Sequence, residues 1–186
     1  MPDVMIPGFS SLVGQADAEK TESAIILLMC TPGGGKTLYC RQMIIETLQN
    51  GASCIYINSS MTRKEYQNLF KNMTDDNIKK LKFLNPYLVA AATKESDIST
   101  GIGDPKLSAT LQEIQNTINE WTSSVTNTNT GSNQESTSTL SNNPKFAIFI
   151  DSLTHMFTLF EEDKVLKFIN SLSFLIKELE ATALIT

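Results

Sequence analysis

Cys30-Thr31-Pro32-Gly33-Gly34-Gly35-Lys36-Thr37 is the stretch from which the rest of the chain is read. An apolar run, Ala24 to Met29, leads into it, and an amphipathic segment, Leu38 to Leu48, leaves it. A strand, a glycine-rich turn and a helix in that order are the context of a phosphate-binding P-loop. Consecutive glycines admit positive φ angles and turn backbone N–H groups inward, forming a nest for phosphate oxygens. The helix behind them adds unpaired N–H groups and the positive end of its dipole. Lys36 is then placed to neutralise the β- and γ-phosphates, and Thr37 to bring a hydroxyl to Mg²⁺. Against the pattern G-x-x-x-x-G-K-[ST] only the first position departs, with Cys30 in place of glycine. A hairpin holding nothing is the bland alternative, but so many entropically costly glycines between strand and helix have no better structural explanation. The expected ligand is a nucleoside triphosphate with Mg²⁺, held by Thr31, Pro32, Gly33, Gly34, Gly35, Lys36, Thr37 and Leu38. No guanine-reading Asn-Lys-x-Asp stretch is present, so ATP is the default.

Outward from this loop the chain alternates strands and helices. Asn50-Gly51 closes the first helix, and Ser53 to Asn58 reads as a second strand. Thr62 is an N-cap for a helix through Tyr66, Leu69 and Phe70. Leu81 to Asn85 forms a third strand stopped by Pro86. Val89 to Lys106 is poorly patterned and is expected to be a loop with at most one helical turn. Leu107, Leu111, Ile114, Ile118 and Trp121 mark an amphipathic helix. Residues 122–143 are almost wholly Ser, Thr, Asn, Gln and Gly, and read as a disordered insertion.

Phe146 to Ile150 is an apolar strand that delivers Asp151 at its end. A buried strand ending in Asp, downstream of a P-loop, is the Walker B arrangement, in which the carboxylate holds Mg²⁺ directly or through water. The metal residues are therefore Thr37 and Asp151. Glu161, Glu162 and Asp163 open a further helix whose apolar face runs from Val165 to Leu179, and Ala183 onwards begins a fifth strand.

Composition agrees with a domain that has a real core: 186 residues, 41% hydrophobic and 19% charged. The formal charge of -5 argues against coating nucleic acid by bulk electrostatics. Cys30, Cys40 and Cys54 lack metal-ligand spacing and read as reduced core residues of a cytoplasmic protein. The basic cluster Lys79, Lys80 and Lys82 reads as a solvated face and Trp121 as packing. The lone histidine, His155, is either a γ-phosphate sensor or, more often for such a residue, a satisfied core or subunit-interface side chain.

These motifs together resemble the KaiC/RadA branch of the RecA-like ATPases. Ile6-Pro7-Gly8-Phe9 is similar to the Ile-Pro-Gly-Leu opening of KaiC-like domains, and Pro32 to Thr37 to their Pro-Gly-x-Gly-Lys-Thr loop. Phe149-Ile150-Asp151-Ser152-Leu153-Thr154 resembles their Walker B with its Asp-Ser-Leu continuation, and the passage Glu178 to Thr186 resembles their helix-to-strand step. The resemblance implies an α/β fold in one unit, residues 1–186 with the insertion at 122–143. The sheet is mostly parallel, with helices on both faces and strands in the order 3-2-4-5-1. It also implies that further strands follow beyond the first, so the chain reads as truncated after its fifth strand, with the P-loop strand left as an apolar edge.

The family carries two glutamates after its second strand, one of which activates water; here Ser60 and Met61 align with them. Ser152 takes the other usual position, directly after the Walker B aspartate. Glu65 and Glu161 are the only candidates for a substitute base. Without one, a factor of ~10²–10⁴ in rate is missing. The expected function is thus an ATP-binding regulatory or assembly module with slow or absent hydrolysis. By resemblance it forms a homo-oligomer, a hexamer, and a protein partner would read its nucleotide state. The alternative is an active ATPase of recombinase or motor type acting on DNA; a small-molecule kinase is the third reading.

Overall fold

A computed structural model describes residues 23–31, 33–92, 104–128 and 145–186. The Ile6 to Phe9 motif, Pro32, and residues 129–143 of the polar insertion lie outside the described residues.

The order of elements is β1 (Ala24–Leu27), α1 (Lys36–Gln49), β2 (Ser53–Ile57), α2 (Arg63–Leu69), α3 (Asp75–Lys79), β3 (Leu81–Leu84), α4 (Pro86–Ala92), α5 (Pro105–Thr128), β4 (Phe146–Ile150), α6 (Leu153–Leu159), α7 (Glu162–Glu178) and β5 (Thr182–Ile185). Five strands form one sheet in the order β1-β5-β4-β2-β3, and every pairing is parallel. Read from the other edge this is 3-2-4-5-1, the order expected from the resemblance.

Parallel strands need both faces covered, and alternation along each strand assigns the faces. Cys54, Tyr56, Ala147, Phe149 and Leu184 pack with Cys40, Met43, Ile44 and Leu48 of α1 and with Phe70 after α2. Ile55, Ile57, Ile148, Ile150, Ala183 and Ile185 pack on the opposite face with α5, α6 and α7. Each fully buried large side chain contributes about 1.5–3 kcal/mol relative to exposure. Trp121 stacks on Phe146 with ring centroids 6.0 Å apart, the packing role its sequence context suggests.

Local chemistry accounts for the ends of the elements. Asn50 and Gly51 stop α1, with Gly51 at φ 88. Thr62 and Glu65 form a reciprocal capping box at the start of α2. Pro86 not only stops β3 but occupies the first position of α4, where its missing N–H costs nothing.

β1 is the edge strand that the resemblance leads one to expect, with Ile25 43% and Leu27 56% exposed. Of the span 89–106, expected as a loop with at most one helical turn, the end of α4 covers Val89 to Ala92, about one turn, α5 begins at Pro105, and 93–103 lies outside the described residues. Two expectations need correction. The polar insertion does not begin at Thr122, because α5 continues through Thr128. Thr122 and Ser123 donate their hydroxyls to the carbonyls of Ile118 and Asn119, so these side chains find partners within the helix. Cys30 is not a core residue but exposed, whereas Cys40 and Cys54 are buried, and burial raises both of their thiol pKa values.

Candidate functional site

The turn between β1 and α1 has the conformation its glycines allow. Gly33 and Gly35 sit at φ 78 and 80, where a side chain would be strained. Gly34 is needed for clearance instead: a Cβ there would lie 2.9 Å from Cys30 Sγ and 3.0 Å from the Thr31 carbonyl oxygen. The Gly34 N–H donates to that carbonyl at 3.0 Å and tightens the turn. Gly35 is the N-cap of α1 and no side chain caps the helix, so its first N–H groups keep their capacity for an anion. Lys36 reaches back over the loop, its Nζ donating to the Cys30 carbonyl at 3.1 Å.

Asp151 reaches the same place from the sheet. It has the parity of Ala147 and Phe149, so it projects toward α1. Tyr56 and Asn58 share that direction on β2 and just beyond it, as does Thr186 beyond β5. The result is a carboxylate only 3% exposed and surrounded by donors. Thr37 and Thr186 donate their hydroxyls to Oδ1 at 3.2 and 2.8 Å. Tyr56 donates to Oδ2 at 3.0 Å, and Asn58 Nδ2 approaches the same oxygen at 3.3 Å. Burial first, and then the charge of Asp151, raise the ionisation of Tyr56 far above its ordinary 10.0, so it remains a donor.

Among the described residues no group of three or more His, Cys, Asp or Glu side chains is placed to hold a metal. What the site offers is a hydroxyl and a carboxylate, two hard oxygens on adjacent groups. That fits Mg²⁺, which keeps much of its hydration and binds through one or two protein oxygens together with phosphates. Thr37 and Asp151 would hold the ion, which would supply charge neutralisation to the phosphate tail.

Around the end of β2 the side chains are committed to local structure. Asn58 Oδ1 accepts from the Ser60 N–H, the Ser60 hydroxyl and the Met61 N–H, at 2.9, 2.9 and 2.8 Å. Glu65 Oε2 is engaged by the Thr62 N–H and hydroxyl, both at 2.7 Å, and these contacts hold its pKa below the ordinary carboxylate value. Ser152 caps α6 by accepting the His155 N–H. Glu161, exposed at the start of α7, pairs with Lys164 at 2.9 Å. His155 is half-buried, and its Nδ1 lies 2.7 Å from Ser59 Oγ, tying α6 to the end of β2. Of the basic cluster, Lys82 is paired with Glu113 at 2.7 Å and Lys79 with Asp76 at 3.3 Å.

A cavity of about 460 Å³ opens on the loop, lined by Gly33 to Leu38 with Arg41 of α1 and Leu69 of α2. Thr31 is exposed and lies outside that lining. Sequence reasoning found the loop and Asp151 but missed Tyr56, Asn58 and Thr186 around the carboxylate, and Arg41 and Leu69 in the cavity wall. Shared parity on neighbouring strands was the available signal for the first three.

No helix among the described residues is long and apolar enough to cross a membrane. A search of curated proteins finds no match. A family model described as "ATPase: KaiC" matches residues 3–186. With a P-loop geometry on β1–α1, an aspartate at the end of β4 and the parallel 3-2-4-5-1 sheet, the chain belongs to the KaiC family of ATPases.

Proposed function

We propose that this protein binds Mg·ATP at the β1–α1 loop and works as a nucleotide-dependent regulatory or assembly module, turning ATP over slowly or not at all. The observation that carries the reading is the end of β2. Ser60 and Met61 stand where the resemblance places the water-activating glutamates, and both are tied to Asn58. Glu65, the nearest acid in sequence, is consumed by its helix cap. Gly33 to Gly35 cradle the phosphates, Lys36 neutralises them, and Thr37 and Asp151 hold Mg²⁺. Self-association, into a hexamer by family resemblance, and a cytoplasmic setting belong to the same proposal.

The test is equilibrium ATP binding and Mg·ATP turnover by the protein, each with and without Lys36→Ala. The expected result is binding that requires Lys36, with turnover no faster than that of the variant. Turnover on the order of one per second, abolished by Lys36→Ala, would replace the module with an active ATPase. Stimulation of that turnover by DNA would favour a recombinase-like motor.

A further inference from the structure

The two oxygens of Asp151 are committed to different neighbours. Oδ1 accepts from Thr37 of α1 and from Thr186 after β5, at 3.2 and 2.8 Å. Oδ2 accepts from Tyr56 at 3.0 Å and from Asn58 Nδ2 at 3.3 Å, both on the β2 side. Asn58 Nδ2 also donates to the Tyr56 hydroxyl at 2.9 Å, so carboxylate oxygen, phenol and amide close a triangle. Thr37, which would share the ion with Asp151, stands on the Oδ1 side.

The triangle is held in place from outside. Tyr56 is fully buried, and its ring meets Phe70 edge-on and Phe83 at a tilt, with centroids 6.1 and 6.0 Å away. Asn58 is buried as well, and its Oδ1 is engaged by Ser60 and Met61. Neither donor can turn aside without leaving a buried polar group unmatched. Groups that hydrogen-bond a ligating carboxylate in this way fix its orientation and tune what it binds.

Orientation bears on the choice of ion. Mg²⁺ keeps much of its water and binds through one or two protein oxygens together with phosphates. Ca²⁺ gathers about 6–8 oxygens in a flexible shell and often takes both oxygens of one carboxylate. A carboxylate with Oδ2 committed to buried donors has only Oδ1 to offer, directly or through water. We infer that Tyr56 and Asn58 are positioning residues that restrict Asp151 to one oxygen and thereby make the loop selective for Mg²⁺ over Ca²⁺. The inference rests on the phosphate-loop reading above and adds to it the residues that choose the ion.

The experiment titrates ATP into the protein, Lys36→Ala, Tyr56→Phe and Thr186→Val, each with Mg²⁺, with Ca²⁺ and with a chelator. Tyr56→Phe keeps the ring in its aromatic surroundings and leaves Oδ2 to the longer Asn58 contact alone. Thr186→Val removes a donor from Oδ1 instead. The unmodified protein is expected to bind ATP about tenfold more tightly with Mg²⁺ than with Ca²⁺. Tyr56→Phe should narrow that ratio about threefold or more, through tighter binding with Ca²⁺, and leave binding in chelator unchanged. Thr186→Val should not narrow it. Equal affinity with the two ions in the unmodified protein, or a ratio untouched by Tyr56→Phe, would overturn the inference. So would equal narrowing by Thr186→Val, since loss of any donor, and not release of Oδ2, would then be the cause. If Lys36→Ala bound ATP as well as the unmodified protein with either ion, the phosphate-loop reading itself would fall, and the ion selectivity with it.

Discussion

The Thr37 hydroxyl and the Asp151 carboxylate lie 3.2 Å apart although 114 residues separate them in the chain. One comes from the first turn of α1 and the other from the end of β4, so this contact ties the loop-bearing helix to the centre of the sheet. Every side chain that reaches Asp151 here does so as a donor. An asparagine in its place would turn a donor toward donors. Asp151→Asn is expected to cost about 1–3 kcal/mol in denaturant unfolding. The gain in ATP affinity on adding Mg²⁺ should fall at least tenfold, while Mg²⁺-free binding changes little; titration with and without the ion separates the two effects.

Asn58 organises both the carboxylate and the turn after β2. Its Nδ2 reaches Asp151 and Tyr56, while its Oδ1 holds Ser60 and Met61. Asn58→Ala takes the acceptor from the Ser60 and Met61 N–H groups and one donor from Asp151, and about 1–3 kcal/mol of stability should go. Amide hydrogen exchange at Ser60 and Met61 should accelerate more than at Ile55, inside β2. Equal acceleration throughout would point to global destabilisation instead.

The capping box at α2 makes stability depend on pH. The Thr62 N–H and hydroxyl lower the Glu65 pKa from its ordinary 4.5. A depressed acid stabilises the fold above its unfolded pKa, and that stability is lost as pH falls through the folded value. Glu65→Gln should therefore lower the melting temperature at neutral pH, with the difference closing in acid below the depressed pKa. A difference that persisted unchanged there would show that the carboxylate charge is not what matters.

At Gly34 the obstacle to a side chain is contact rather than backbone angle. Gly34→Ala should distort the loop and weaken ATP binding by tenfold or more, since Cys30 Sγ and the Thr31 carbonyl stand in the way. Cys30→Gly added to it should recover affinity only in part, because the carbonyl remains. Full recovery would mean that the thiol alone sets the constraint.

Much of the site was legible because its chemistry is local. The glycines, Lys36 and Thr37 sit in consecutive positions, and Asp151 ends an apolar run that can only be a buried strand. Thr62, a residue type favoured at an N-cap, announced the start of α2, while the part Glu65 plays in that cap came from the structure. Helix α5 ran past the expected boundary because a helix already nucleated by its apolar stripe can carry polar residues for further turns, which composition does not reveal. The edge position of β1 came from the resemblance and not from its apolar run, which reads alike at the centre and at the edge of a sheet.

By itself, the sequence determined the P-loop, the alternation of strands and helices, and the carboxylate at the end of β4, all consequences of backbone preference and short-range spacing. Tertiary structure alone decided that Tyr56, Asn58 and Thr186 converge on Asp151. Alternation tells which residues of a strand share a face, but only strand order and register say which strands stand side by side.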